Sequence, residues 1–543
     1  MKRCKPVTRV LSQSFFSGAR QIAGVLIKGE IGLLVVIYAI FVFADRIPLS
    51  CLVAIGLLWI ARWWATGRST VVTPMDVPIL GILVMVPVGL YTSPDWRLSQ
   101  PKVYGIILGV AIFYAIVNTI RTIRGVQLAA VTLVLVSIAV VMLGLVGTDW
   151  QSTKLFYLPQ VYGHLPKLIQ GIPRSPRGGF SPNGIGGTLI FLIPVLLSLL
   201  WSSHSTMRVK KASDNRVFQI RGVWYRPILA LSLLLTTFTL ILTQSRGSFI
   251  GIGFGLLALA AWYYRRALWA IPTIALTLFV VFKSGRGWEL AQFMLRVDAG
   301  DITVRGRMEV WRRAVYMIRH FPYTGIGICT FDKVANALYP SFISPDARVT
   351  HAHNELLQVA VDLGIPGLVA YVALLTTFAL TAWRAYQALN DRWLRALIVG
   401  LACGMLAHQV FGLTDAFLLG TKPGVVMWVF MGLIAALYVH RDSIARQLSG
   451  NGGAEAGREG GNGLESAGGS DESSGGWLSS WLGTIPFGLR LLGPLFPVGH
   501  CRRRQSALPG PGHCPGWWRN PGLRLYEAFR VCNRLAVPRL NVL

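Results

Sequence analysis

Long apolar runs separated by short polar connections set the pattern of this chain. The runs are about 16–23 residues long, which suits helices crossing a hydrocarbon core of about 30 Å. In that core every backbone polar group must be paired within the chain, so such runs read as helices. Twelve spans are expected, near 31–44, 48–65, 76–93, 103–120, 126–147, 185–201, 227–244, 248–264, 267–283, 365–387, 394–415 and 423–440. The first is short, and Asp45–Pro48 after it suits a tight re-entrant turn. The fold expected is an all-α polytopic membrane protein.

The pattern also divides the chain. Residues 1–30 are basic and weakly amphipathic, an interfacial segment rather than a cleaved signal. Spans one to nine fill 31–283, and spans ten to twelve fill 365–441. Between them, 284–364 is too long for a simple connector and reads as helical near 304–319 and 355–363. Residues 442–476 are expected to be a flexible Gly/Ser-rich linker. Residues 477–543 mix Trp, Pro, Gly, Arg and Cys without periodicity and read as a tail of low order.

Composition agrees with the membrane reading: 53% of residues are hydrophobic, 14% are charged, and the mean hydropathy is +0.53. The net charge of +29 first suggests nucleic acid. With both termini in the cytoplasm, however, the inner loops collect Arg62, Arg68, Arg121, Arg124, Arg208, Lys210, Lys211, Arg265, Arg266, Arg384, Arg392 and Arg395. That is the positive-inside pattern, and no aromatic-interleaved basic groove accompanies it. Membrane lipids are the expected partners, and nucleic acid is not. The seven cysteines are scattered and imply neither a disulfide framework nor a metal site.

This orientation makes cations on the outer side informative. Arg246, in "LTQSRGSF", sits at the short turn between spans seven and eight. It either snorkels to lipid head groups or grips a phosphate bidentately. The Gly247–Ser248 opening of the next helix adds backbone donors, which favours an anion. Arg307 and Trp311 are four apart, on one helix face that either lies on the membrane or holds a lipid head group. Lys102, at the outer mouth of span four, is either an interfacial lysine or a further anion contact. In "VTHAHNELLQVAVDLGIPG", Asn354 can cap a helix that Gly364 ends and Pro366 bars from continuing. His351 and His353 alternate in an extended segment and so point opposite ways, and a histidine there can accept a proton near neutral pH. H-x-H also occurs in metal sites, but no further ligands stand nearby in sequence, so no metal or other cofactor is expected.

His353–Asn354, nine residues, Gly364, two residues and Gly367 form H-N-x9-G-x-x-G. This resembles the hallmark of the O-antigen ligase / O-antigen polymerase superfamily. "SPNGIGG" at Ser181–Gly187, "SRG" at Ser245–Gly247 and the R-x-x-x-W of Arg307–Trp311 resemble the same family in the same order. The likeness covers roughly residues 30–440. It implies a GT-C-like, inverting, metal-independent glycosyltransferase of the bacterial inner membrane, with its active site on the periplasmic side. Its donor would be a glycan on undecaprenyl diphosphate and its acceptor lipid A–core or another glycan. Carried over, His353 would be the essential histidine. Arg246 and Arg307, with Lys102, would bind the donor diphosphate, while Asn183, His351, Asn354 and Trp311 would support the site.

Ligases, repeat-unit polymerases and protein O-oligosaccharyltransferases share these motifs. The late position of the long loop, with a single histidine motif, favours a ligase. The rival from another class is a solute transporter of the bicarbonate type. Its intramembrane ionisable candidates are His408 in span eleven and Asp415 at that span's outer end.

Overall fold

The computed structural model describes residues 29–43, 48–148, 158–165, 179–205, 225–284, 304–339, 349–416 and 419–448, with residues 24, 27 and 150. All lie in one unit, Met1–Gly463. Most of the N-terminal segment, Arg208–Lys211, everything after 448 and the side chain of Arg305 lie outside the described residues.

The first helices are α1 (Glu30–Phe43), α2 (Leu49–Thr66), α3 (Asp76–Tyr91), α4 (Trp96–Thr119), α5 (Ile123–Gly147) and the short α6 (Pro159–His164). Next come α7 (Pro182–Ser205), α8 (Tyr225–Thr243), α9 (Arg246–Tyr263) and α10 (Ala270–Lys283). Three surround the long loop: α11 (Val304–His320), α12 (Phe331–Leu338) and α13 (Glu355–Ala388). The last are α14 (Arg392–Gly412), α15 (Val425–Val439) and α16 (Arg441–Leu448). Among the described residues there is no strand, only an isolated bridge between Thr148 and Phe180.

Every expected span coincides with a helix, but not every helix is long enough to cross a bilayer. Among the described residues eight meet both length and apolarity, or nine if the bent α15–α16 pair is one span. Helices α1 and α3 are shorter apolar helices. This is a helical polytopic membrane protein. The first residues of the expected linker are helical, since α16 runs to Leu448.

The centre is α14, packed against α7 and α9. Small residues permit the approach: a Cβ on Gly255 would stand 2.7 Å from Ala407 Cβ, and one on Gly404 would fall 2.2 Å from the Phe191 carbonyl. Close backbone contact of this kind supplies the dispersion energy that joins helices in lipid. A second set joins α4 to α15, and α3 to α13.

Two of the expected loop cations do other work. Arg62 lies inside α2, buried, and donates to Glu30 at the start of α1. A charge that deep in an apolar helix needs a counter-ion, so the pair fastens α1 to α2. Arg395 donates from Nε to the Leu389 and Tyr386 carbonyls at 2.7 and 3.2 Å, closing the end of α13.

Candidate functional site

Asp415 follows α14 and is buried where the segment before α13, the start of α7 and the end of α14 come together. His351 Nε2 donates to Asp415 Oδ1 at 2.9 Å, and His353 Nδ1 stands 3.5 Å from the same oxygen. Asn183 Nδ2, in the first turn of α7, reaches Asp415 Oδ2 at 3.4 Å, and the Ala416 N–H donates to Oδ1 at 2.9 Å. One carboxylate thus holds the histidine segment, the start of α7 and the end of α14 together.

The two histidines do not point apart. Their rings are 4.1 Å apart, centre to centre. Strict alternation requires extended backbone at every residue. His353 instead has φ +47°, in the left-handed region that non-glycine residues rarely occupy. That turn brings its ring back beside His351. Such strain persists only where surrounding contacts over-determine it. Here Asn354 accepts from the Leu357 N–H at 3.0 Å as N-cap of α13, and its Nδ2 donates to the Leu413 carbonyl at 3.1 Å. The expected capping role of Asn354 is therefore seen, together with a second contact to the end of α14.

Behind the histidines runs a buried polar relay. The Ala352 N–H donates to Gln358 Oε1 at 2.6 Å, Gln358 Nε2 donates to Asp362 Oδ1 at 2.8 Å, and Lys102 Nζ donates to Asp362 Oδ2 at 2.7 Å. Gln358 and Asp362 lie four apart on α13, so one helix face carries both. Lys102 therefore differs from expectation. It is not an open cation at the membrane mouth but the buried end of an ion pair, since the first turns of α4 lie against the Ile328 and Gly420 turns and bring Lys102 to Asp362 of α13. Glu355, the first residue of α13, is also buried and accepts from the Leu419 N–H at 3.0 Å.

The arginines arrive on two elements. Arg246 is the first residue of α9, after the N-cap Ser245, so the helix opens two residues earlier than expected. It is half-buried, and the adjoining Gly247 lies against Phe411 and Thr414, next to Asp415. Arg307 is close enough for its charge to act on His353. Its Nε, like Trp311 Nε1, is a buried donor without a hydrogen-bond partner. Helix α11 does not lay its apolar face on lipid. Val310, Ala314 and Met317 pack against Ala352, Val361 and Phe331, so the face that carries the amphipathic signal is covered by protein.

Electrostatics follow from this crowding. Burial pushes the His353 imidazole below its ordinary 6.5, the charges of His351 and Arg307 add to the effect, and Asp415 opposes it. Burial alone would raise the Asp415 carboxyl, but the His351 hydrogen bond and the two imidazoles beside it outweigh burial and hold the group well below the usual carboxylate range. An ionised Asp415 orients a neutral His353. With Nδ1–H toward the carboxylate, Nε2 carries the lone pair. The same groups offer a metal three ligand atoms within 4.8 Å of one another, from His351, His353 and Asp415. The sequence gives H-x-H but not its third partner, which lies 62 residues beyond His353.

The transporter candidates now have structural explanations. His408 is fully buried, stacks on Phe191 at 4.2 Å and bonds the Gly187 carbonyl through Nδ1 at 2.7 Å, at the core of the α7–α14 contact. Asp415 is the hub already described. In the sequence Asp415 stands out only as a transport candidate, and Gln358 and Asp362 do not stand out as site residues. The one available signal was polar spacing of four within an otherwise apolar helix face.

Among curated proteins, none matches this chain. A family model described as O-Antigen ligase matches residues 231–372, a stretch that holds Arg246, Arg307, Trp311, both histidines, Asn354 and Gly364. The resemblance first carried by H-N-x9-G-x-x-G is thus found by the family model too, and residues 231–372 of this membrane protein are similar to the O-antigen ligase family.

Proposed function

We propose that the protein is an O-antigen ligase. It transfers a glycan from undecaprenyl diphosphate to a sugar hydroxyl of lipid A–core, with inversion, on the periplasmic face of the bacterial inner membrane. The observation that carries the reading is His353 beside Asp415, with the charge of Arg307 acting on His353 and Arg246 opening the helix whose Gly247 lies against Thr414, next to Asp415.

The chemistry follows from those parts. His353 Nε2 takes the proton of the acceptor hydroxyl as its oxygen attacks the anomeric carbon. The new C–O bond forms on the face opposite the bond to the diphosphate, which breaks and leaves as an anion. Asp415 stabilises the imidazolium, and His351 holds Asp415 in place. Arg246 and Arg307 face charge that grows on the leaving diphosphate, so they favour the transition state over the bound donor. Asn183 and Asn354 fix the helix ends from which these groups project. Trp311 packs one turn beyond Arg307. Lys102 acts at a distance, by holding Asp362.

The reading requires no metal, since the two arginines supply the positive charge. A second reading rests on the His351–His353–Asp415 triad, whose geometry suits a divalent ion. Purified protein in nanodiscs, given undecaprenyl-diphosphate glycan and lipid A–core with EDTA, separates them. Transfer by wild type that is lost in well-folded His353→Ala and Arg246→Ala supports the metal-free ligase. Transfer abolished by EDTA and restored by zinc assigns the triad to a metal. Transfer only to a second glycan, or to a protein, moves the assignment to a polymerase or a protein O-oligosaccharyltransferase. Solute uptake into proteoliposomes that survives His353→Ala, with no transfer to any acceptor, would sink the enzyme reading.

A further inference from the structure

At the far end of α14, roughly 30 Å along the helix from Asp415, two adjoining cavities form one amphiphilic groove. The first has a volume of about 260 Å³ and an almost wholly apolar lining. It runs between α13 and α14, from Leu375 to Tyr386 on one side and from Ile398 to Gln409 on the other. The second, about 240 Å³, shares Trp262, Tyr386 and Val399 with the first and holds Arg392 and Arg395.

Between the two lies a collar of rings. Trp262 meets Trp383 and Tyr386 edge-on, at 5.8 and 5.0 Å between centres, and Trp201 meets Tyr264 edge-on at 6.0 Å. Tryptophan and tyrosine gather at head-group level, where one end of the ring is apolar and the other wet. The collar thus separates an acyl-depth groove from a head-group-depth pocket. Arg395 lies 4.9 Å over the Tyr386 ring, and its donors go to neutral acceptors, the Tyr386 and Leu389 carbonyls and the Asn390 side-chain oxygen. Its charge is left uncancelled by these contacts. Arg392 is exposed at the same mouth. Among the described residues neither arginine is in an ion pair. The nearest acid in sequence, Asp391, accepts from the Leu394 N–H at 2.9 Å as the cap of α14.

We propose that this groove is a binding site for an anionic glycerophospholipid, with one acyl chain between α13 and α14 and the phosphate on Arg392 and Arg395. Charge complementarity selects the anionic head, because two guanidiniums face a phosphate without an intervening acid. Length selects the tail. The apolar stripe from Leu375 to Tyr386 spans twelve residues, an axial rise of roughly 16 Å, which matches an acyl chain and is overrun by a long polyprenyl chain. The site is remote from His353 and independent of any transfer activity.

The test uses the full chain, delipidated in detergent and titrated with phosphatidylglycerol or phosphatidylcholine of the same acyl composition, with bound lipid counted by native mass spectrometry. Phosphatidylglycerol is expected to be retained about ten-fold more strongly, the worth of one charge-assisted contact. Arg392→Gln should bring it toward the phosphatidylcholine level, and Ala402→Trp, which fills the groove, should remove both. Arg384→Gln, outside the groove on the same turn of chain, should change nothing. In the unmodified protein, a diazirine-bearing acyl chain should label peptides spanning 375–386 and 398–409, an arm that does not depend on a variant folding. Equal retention of the two lipids, or labelling elsewhere, would overturn the proposal. Preference for a polyprenyl phosphate over phosphatidylglycerol would overturn the choice of occupant.

Discussion

Gln358 accepts, through Oε1, a 2.6 Å hydrogen bond from the backbone N–H of Ala352, the residue between the two histidines. This is how a buried helix face sets the position of the histidine segment. The glutamine is itself held by Asp362, and Asp362 by Lys102.

The relay separates position from stability. Gln358→Leu removes the acceptor of Ala352 and leaves a buried N–H unpaired, a loss of about 1–3 kcal/mol. Lys102→Met strands the Asp362 charge and should cost about 3–5 kcal/mol. The double variant Lys102→Met/Asp362→Leu should recover most of that stability, because an apolar pair can replace a buried ion pair of similar volume. It should not recover transfer, since Gln358 still lacks its anchor. Thermal unfolding and transfer rates on the same preparations check both halves. Recovery of full transfer by the double variant would leave the relay with a purely structural role.

Transfer should also have an acid limb governed by His353. The base must be neutral, and burial with the charges of His351 and Arg307 depresses its pKa. Activity is therefore flat at neutral pH and falls only as pH drops through a value below 6.5, the ordinary one for histidine. The two neighbours shift that limb in opposite directions. Arg307→Gln removes a depressing charge, so the residual activity should show its limb at higher pH. Asp415→Asn removes the group that favours the imidazolium, so its limb should lie lower. A profile of kcat/KM against pH for the three proteins reads this directly. Limbs that coincide would detach His353 from the rate.

How much of this was legible in sequence depends on the range of each interaction. Apolar runs dictate helices locally, so the helices, the cap at Asn354 and the break at Gly364 follow from neighbouring residues. The R-x-x-x-W pair was legible for the same reason, since helical spacing alone puts Arg307 and Trp311 on one face. The cluster was not. Asp415 lies more than sixty residues from His351, and only the packing of α13 on α14 brings them to 2.9 Å. Lys102 read as a surface cation because its partner, Asp362, is 260 residues away. Arg62 read as a loop charge because nothing local shows that α1 begins at Glu30 beside it. The turn at His353 reversed the expected alternation, and backbone sign at a single histidine leaves no mark in the sequence.

Gly364 offers the sharpest test of the motif's backbone logic. Its φ of +69° and ψ of −178° fall in a region that only glycine enters freely. This conformation breaks α13, turning the chain from the short helix that carries Gln358 and Asp362 into the long apolar helix beyond. The break is also crowded. A Cβ here would stand 2.7 Å from the carbonyl carbon and oxygen of Tyr323, and the next N–H, from Ile365, donates to the Pro322 carbonyl at 2.7 Å. Gly364→Ala must therefore either bear the backbone strain and the clash or let the 321–325 turn move away. The first alone costs about 1–3 kcal/mol, and the clash adds to it. Since Gly325 of that turn and Ile326 just after it also pack on Val361 and Asp362, its movement would loosen the relay behind the histidines. Gly56→Ala is the control, because a Cβ there meets nothing within 4 Å and alanine favours the helix. Gly364→Ala should lower the unfolding temperature and abolish transfer, while Gly56→Ala should hold or raise the temperature and keep transfer. Equal behaviour of the two would mean that the glycine serves neither the break nor the site.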